Sequence, residues 1–343
     1  MRNLRSLKSI ISLLLVCLLF TSCGMSGDAD PETAGLETIA NNQEGHYTFQ
    51  PHVFGSRYLE QFGEETRDAF YAYCDALRNG EDTFACPDQE TLDWCIGRLA
   101  HFFFPVAEHN ADEGVCEDGI AHIVYKIPKE EFLQKQKDFE DEITGILNDC
   151  LGDDYSDFEK ILALYEYMTI NYTYDYEMYD HSSEWMDRQG TCRALEEKQG
   201  ICNEIASLYN YLLLQVGIDS EEMGGWSHNP DGVGDDAHSW VFVTLDGESY
   251  HIDPTYGLTY DRPPLCYFMM NDEIREKRDY YPKEKMTLAA GGDGSRDLFE
   301  FGANSDAFSP LWDGDYIGMD RADQEIVYRD IDGNHHRFSY AGM

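Results

Sequence analysis

Three residue types in the middle of the chain have the chemistry of acyl transfer. Cys202 stands in Gly200-Ile201-Cys202-Asn203-Glu204-Ile205-Ala206, at the start of a predicted helix. The unpaired backbone N–H groups of a helix start favour a thiolate over a thiol, and a cysteine there is poised to attack. Gly200 lets another segment of chain come close to it. A nucleophilic thiol needs a base, and a base needs a group that orients it. His238 in Ala237-His238-Ser239-Trp240 and Asp253 in Tyr250-His251-Ile252-Asp253-Pro254 supply both.

The elements that must position these groups are readable. From Cys202 onward, Ile205, Leu208, Tyr209, Leu212, Leu213 and Val216 recur at three-and-four spacing, which predicts a core helix with one buried face, and Gly217 stands where a C-terminal cap belongs. Strand-forming residues flank Asp246-Gly247, the dipeptide suited to a two-residue type I′ turn, so the histidine and the aspartate lie on a β-hairpin. With Asp246 and Gly247 as the loop, Leu245 pairs with Glu248, Trp240 falls opposite Asp253, and His238 opposite Thr255. Alternation then gives His238, Trp240, Phe242, His251, Asp253 and Thr255 one face and Val241, Val243, Leu245, Tyr250 and Ile252 the other, the aliphatic face being the expected core. His238 and Asp253 become diagonal neighbours, roughly 7–8 Å apart at the backbone, within reach of a carboxylate–imidazole bond that fixes the ring's tautomer.

Gly-Ile-Cys opening a helix, His-x-Trp on a strand and Tyr-His-Ile-Asp-Pro-Thr on the next together resemble the transglutaminase-like superfamily of papain-type cysteine enzymes. The resemblance extends upstream through Glu159-Lys160-Ile161 to Asn171-Tyr172-Thr173-Tyr174-Asp175, and downstream to Tyr267-Phe268-Met269-Met270, similar to the family's closing strand. It covers about residues 155–282. It implies Cys202 as nucleophile, His238 as general base and acid, and Asp253 as orienter. Many bacterial members carry glycine where this chain has Glu204, and asparagine where it has Val241. An inward-facing Glu204 would raise the thiol's pKa. For the second oxyanion donor, beside the Cys202 backbone N–H, Tyr174 and Gln199 are the candidates. Trp240 reads as a wall of the cleft, and His251 as a packing neighbour.

At the amino end, Arg2, Arg5 and Lys8 precede an apolar run from Ile10 to Phe20 that ends in Thr21-Ser22-Cys23-Gly24. This reads as a secretory leader, 1–22, since a membrane span needs about 20 apolar residues. Cys23 after small residues resembles a bacterial lipoprotein box, with Phe20 in place of the usual leucine. The expectation is a protein lipid-anchored at Cys23 to the outer side of a bacterial membrane, through a polar tether, 23–45. Residues 46–151 read as a helical accessory domain. Phe70, Tyr73, Cys74 and Leu77 mark one helix, Phe132, Phe139, Ile143, Ile146 and Leu147 another after Pro128, with a strand over 121–127 between them. Ser156-Asp157-Phe158-Glu159 is a capping box that opens the catalytic domain, 152–282. Residues 283–343 read as a β-rich extension, with Gly291, Gly292 and Gly294 in a loop and a hairpin around Asp332-Gly333.

The formal charge of −41 becomes three charges more negative once the leader's Arg2, Arg5 and Lys8 are removed. Nucleic acid is excluded as a partner, because phosphate binding rests on clustered Lys and Arg. The same charge is repelled by anionic lipid, so the tether must hold the chain at a membrane. Cys74, Cys86, Cys95, Cys116, Cys150, Cys192, Cys202 and Cys266 remain after the leader and Cys23. With Cys202 free the other seven are an odd number, so a fully disulfide-bonded exterior is excluded. Their wide spacing argues against zinc. No cofactor is expected; calcium is the one ion suited to the oxygen-rich loop 229–236, which lacks the twelfth-position glutamate of an EF-hand and reads as a lip over the cleft.

The expected architecture is α+β: a papain/transglutaminase-like core in which a nucleophile helix packs on an antiparallel sheet, with the accessory helices before it and the β-rich piece after it. The expected activity is hydrolysis of protein or peptide amides through a thioester. Two other readings share the fold, a cross-linker in which an amine accepts the acyl group and a binding module that no longer catalyses. Oligomeric state is not legible.

Overall fold

The structure, a computed structural model, describes residues 47–109, 114–228, 235–259, 261–278 and 286–343. The leader, Cys23, the tether and positions 229–234 of the oxygen-rich loop lie outside the described residues. In chain order the helices are α1 Ser56–Asn79, α2 Gln89–Trp94, α3 Ala100–Phe103, α4 Lys129–Cys150, α5 Asp157–Asn171, α6 Tyr176–Asp180, α7 Thr191–Glu197, α8 Cys202–Gln215, α9 Asp272–Lys277 and α10 Asp293–Leu298. The strands are β1 Thr83–Ala85, β2 Val115–Glu117, β3 Ile120–His122, β4 Thr173–Tyr174, β5 Gln199–Gly200, β6 Ser220–His228, β7 Asp235–Leu245, β8 Glu248–Ile252, β9 Thr287–Leu288, β10 Gly314–Asp320, β11 Glu325–Asp330 and β12 His335–Ser339. The fold is α+β, with helices gathered before the main sheet and strands after it.

The sheet that matters for the site has the order β8-β7-β6-β9 and is antiparallel throughout. Asp246 and Gly247 both take positive φ, +51° and +82°, as a type I′ turn demands, and Leu245 pairs with Glu248 as the turn chemistry predicts. The ladder ends at Val241–Ile252. Beyond it Asp253 enters a turn, where the Gly257 N–H donates to the Asp253 carbonyl at 3.2 Å, so Asp253 and Thr255 are not paired with Trp240 and His238.

Helix α8 lies on the Val241 face. Ser207, on that helix, bonds the carboxylate of Glu222, which stands opposite Val241 in the ladder. The expectation that this aliphatic face alone forms the core is too narrow: Trp240, Phe242 and His251 on the other face are also fully buried. That second face is covered by Arg57, Arg275 and Phe301, whose groups lie against Phe242 or Trp240. Gly217, at φ +80°, closes α8 with its N–H on the Leu214 carbonyl and the Ile218 N–H on the Leu213 carbonyl, both at 3.1 Å.

At the front of the core, Ser156 and Glu159 form the expected capping box of α5, with the Glu159 carboxylate 2.7 Å from the Ser156 N–H. Helices α1 and α4 appear where the periodicity places them. Several local expectations are corrected. The strand expected over 121–127 is confined to Ile120–His122, because the chain leaves β3 to reach Pro128. Residues Leu265–Tyr267 form a 3₁₀ turn followed by one isolated bridge from Met270 to His251, in place of a closing strand. Gly294 lies inside α10 and not in a loop. The terminal hairpin β11–β12 gains a third strand, β10. The buried apolar side chains run without a break from Val53 to Tyr340, so the residues before and after the core stretch share one hydrophobic cluster with it.

Candidate active site

Cys202 is the first residue of α8, and Ile201 before it is extended (φ −92°, ψ 178°), so the backbone N–H of Cys202 has no partner within its own helix. The parallel pair β4–β5 fixes the approach: the Thr173 N–H donates to Lys198 and the Asp175 N–H to Gly200, at 3.1 and 3.0 Å. Gly200 fits closely here, since a Cβ would sit 3.1 Å from the Glu204 Cβ and 3.3 Å from Ile205, and those neighbours would have to give way.

Glu204 faces inward but is spoken for. It is buried, accepts the Ile201 N–H at 3.0 Å and the Gly190 N–H at 2.9 Å, and is gripped by Arg193, whose Nε donates at 2.9 Å. Arg193 also reaches Asp175 at 2.8 Å. The carboxylate that the sequence leaves beside the thiol is therefore an anchor for the loop before α8, with its charge opposed by a guanidinium.

His238 and Asp253 meet, although Asp253 lies in the turn just past the ladder and not opposite Trp240. The imidazole Nε2 lies 2.6 Å from Asp253 Oδ2, both side chains are buried, and Asp253 Oδ1 accepts the Tyr256 N–H at 2.9 Å. With Nε2 engaged, the other ring nitrogen is left for Cys202, which is a hydrogen-bond partner of His238. Burial works against a charged imidazole, but Asp253, by charge and hydrogen bond, and then Cys202 outweigh it and raise the His238 pKa well above the ordinary histidine range. An imidazolium facing a thiol stabilises the thiolate.

Two aromatic rings hold the imidazole. Tyr256 stacks on it at 4.5 Å between centroids and 15° between planes, and Trp240 follows at 6.0 Å and 24°. The sequence reading places Trp240 in the cleft wall; the structure corrects this. Trp240 is fully buried, because its Nε1–H donates to Nδ1 of His251 at 3.0 Å and Arg275 lies over its ring. Gly225 makes room for it, since a Cβ there would meet the indole at 2.6 Å. His251 in turn presents Nε2 to Asp272 Oδ1 at 3.0 Å. Burial lowers the His251 pKa to about 4, with Arg275 adding to the effect and Asp272 opposing it, so the ring is neutral and its Nδ1 is free to accept.

Cys202 and His238 open onto a cavity of about 560 Å³, lined also by Tyr174, Tyr179, Thr255 and Tyr256. Tyr174 thus shares the cavity with Cys202. Burial first, then the proximity of Cys202, raises its pKa, which keeps the hydroxyl protonated and able to donate. Gln199 pairs with Thr173 and does not line the cavity. Tyr256, Asp272, Arg193 and Gly225 were not singled out from sequence. Only Tyr256 carried a local signal, standing three residues after Asp253 in a turn. Among the described residues no group of three or more His, Cys, Asp or Glu is arranged to hold a metal ion, and no helix is long and apolar enough to cross a membrane.

Residues 145–254 match the family model described as the transglutaminase-like superfamily. Similar solved structures include a candidate cysteine protease from Cytophaga hutchinsonii (18% identity, 31% of this chain and 32% of that one, TM-score 0.23). A second is a TGase (16% identity, 45% of each chain, TM-score 0.31). A third is an arylamine N-acetyltransferase from Bacillus cereus (14% identity, 60% of this chain and 93% of that one, TM-score 0.30). The chain spans about a third and under half of the length of the first two. No curated protein matches it. The stretch 145–254 that matches the transglutaminase-like superfamily contains Cys202, His238 and Asp253.

Proposed function

We propose that this protein is a cysteine acyl-transfer enzyme that hydrolyses amide bonds of proteins or peptides. The observation that carries the reading is His238, bonded on one side to Asp253 at 2.6 Å and on the other to Cys202, at the mouth of a cavity. In the reaction the Cys202 thiolate attacks the carbonyl carbon, and the tetrahedral oxyanion takes the Cys202 backbone N–H and the Tyr174 hydroxyl. The imidazolium of His238 gives its proton to the leaving amine as the C–N bond breaks, which leaves a thioester on Cys202. Neutral His238 then takes a proton from water as the water oxygen attacks the thioester, and the thiolate–imidazolium pair is restored. Asp253 keeps the ring oriented throughout. Attachment by lipid at Cys23 to the outer side of a membrane is part of the same proposal and sets the substrates among exported proteins or peptides.

The test is alkylation by iodoacetamide at mildly acid pH with the modified cysteines mapped by mass spectrometry, followed by a screen of peptide amides with and without an added primary amine. Selective labelling of Cys202 that disappears in His238→Ala, with amide hydrolysis lost in Cys202→Ala, is the expected result. Labelling of Cys202 no faster than that of Cys266 removes the activated nucleophile and with it the enzyme reading.

A further inference from the structure

Away from the cavity, two thiols of the N-terminal sheet meet. Cys86 follows β1, with its N–H donating to the Gly119 carbonyl at 3.1 Å, and Cys116 lies in β2. The Cys116 thiol donates to the Cys86 carbonyl at 3.3 Å and the Cys86 thiol to the Asp88 carbonyl at 3.4 Å, so the two thiols lie side by side, close enough to influence each other's ionisation. Strands β1 and β2 lie on opposite sides of β3, and what draws Cys116 toward Cys86 across it is the Gln89 side chain, just beyond Cys86, which accepts the Cys116 N–H at 2.9 Å. Cys116 is half-buried and open to an oxidant, whereas Cys86 is buried at the core's edge, beneath a groove lined by Glu65, Asp68, Ala69, Ala72 and Pro87.

We propose that Cys86 and Cys116 are a disulfide-forming pair, which on oxidation staples the exit of β1 to β2. The oxidant is a small-molecule disulfide or the disulfide of an oxidoreductase. The more exposed Cys116 attacks one oxidant sulfur as its thiolate, forming a mixed disulfide and releasing one thiol. Cys86 then loses its proton to water and attacks the Cys116 sulfur, which forms the Cys86–Cys116 bond and releases the second thiol. The two protein thiols are oxidised by two electrons and the oxidant disulfide is reduced to two thiols. Burial raises the Cys86 pKa to about 11, so Cys86 is the slower attacker and enters second, where its proximity to the mixed disulfide offsets its low thiolate content.

The bond would close the segment that carries α2, α3 and the 3₁₀ turn Pro105–His109. That turn packs on α7, the helix that supplies Arg193 to Glu204. A closed loop of about 30 residues restrains the unfolded chain strongly enough that a measurable rise in melting temperature is expected. The staple therefore stiffens the support behind the nucleophile helix and leaves Cys202, on another part of the molecule, reduced. It also fits an exported chain, where a disulfide persists.

The purified protein is incubated with oxidised glutathione, its free thiols are blocked with iodoacetamide under denaturing conditions, and it is cleaved with trypsin without reduction. Cleavage after Arg78, Arg98 and Lys126 places Cys86 and Cys116 on separate peptides. The expected product joins these two peptides through Cys86 and Cys116, with Cys95 alkylated. Oxidation should raise the melting temperature by about 5 °C or more, a shift absent in Cys86→Ser and in Cys116→Ser. Full alkylation of both cysteines after oxidation, a bond from Cys116 to Cys95 instead, or a bond that forms only in denaturant each overturns the proposal. A bond that forms without any rise in melting temperature overturns its stapling role.

Discussion

Trp240 donates its indole N–H to Nδ1 of His251 at 3.0 Å, and through that bond one hairpin face carries two histidines in opposite states. His238, against Asp253 and Cys202, is held toward the charged form. His251, against Trp240 and Asp272, is held neutral. The second pair supports the first, because the Trp240 ring backs the His238 imidazole. Replacing His251 by alanine strands a buried indole N–H, which costs about 1–3 kcal/mol and loosens the ring behind His238. Urea unfolding of His251→Ala should show that loss, and Cys202 alkylation should slow at urea concentrations far below the transition. His251→Gln, which restores an acceptor, should recover part of both. Unchanged alkylation in His251→Ala would show that Trp240 does not hold His238.

The raised pKa of His238 has a direct pH consequence. The imidazolium persists above the ordinary histidine range, so it faces Cys202 across mildly acid and neutral solution alike. His238→Ala removes that cation, and the thiolate fraction of a thiol without one falls tenfold per pH unit on the acid side. The ratio of alkylation rates, wild type over His238→Ala, should therefore grow as pH falls and reach on the order of 10² near pH 6. Parallel pH profiles for the two proteins would remove the thiolate–imidazolium pair.

Asp253 acts through His238 alone. Asp253→Asn keeps the shape and the bond from the Tyr256 N–H but takes away the charge that outweighs desolvation of the imidazolium. Turnover of any amide substrate found should fall by on the order of 10²–10⁴, with KM little changed, since nothing in the ground state is removed. A loss confined to KM would place Asp253 in substrate binding instead.

The parts of this site that were legible in the sequence are those set by local rules. Asp246-Gly247 fixed the turn, the turn fixed the register, and the register put His238 and Asp253 on one face. Periodicity and Gly217 bounded α8. What was not legible depends on contacts between distant segments. Nothing near Trp240 says that Gly225 has vacated space for its ring or that Asp272 holds its acceptor, so an indole that could wall a cleft is found buried. Strand β6 was missed because Glu221, Glu222, Gly224 and Gly225 break any strand pattern; their burial depends on Arg57, Ser207 and Trp240 elsewhere in the chain. Glu204 was recognised as inward-facing, but its partner Arg193 lies on a separate helix.

The Arg193–Glu204 pair makes a stability prediction that separates it from the catalytic groups. Glu204 is buried, so Arg193→Met leaves a carboxylate without its cation beside the nucleophile and should cost about 3–5 kcal/mol. Cys202→Ala removes only a partly exposed thiol and should change stability by less than about 1 kcal/mol while abolishing labelling at that position. The double variant Arg193→Met with Glu204→Gln should regain most of the loss, which chemical denaturation of the three proteins would reveal. Equal stability of the single and double variants would mean that the charge of Glu204 is neutralised by some other group.

Glu222 gives the fold a pH dependence of its own. It lies beneath α8, bonded to Ser207 and Ser239, and burial raises its pKa to about 8, the two hydroxyls only partly opposing that. A carboxyl whose folded pKa exceeds its unfolded value is bound more tightly to its proton in the native state. Its stabilising contribution is complete below the ordinary glutamate range, near 4.5, and is lost as pH rises through that range toward 8, by at most about 1.4 kcal/mol per pH unit. Glu222→Gln carries no titrating proton but keeps an acceptor for the Ser207 hydroxyl. Between about pH 5 and pH 8 the stability of the wild type should fall relative to Glu222→Gln, the difference then levelling off above pH 8. Other carboxyls titrate in both proteins and cancel in the comparison, so a difference that is flat across this interval means that Glu222 is ionised beneath the helix, and that the two serines hold a charge and not a shared proton.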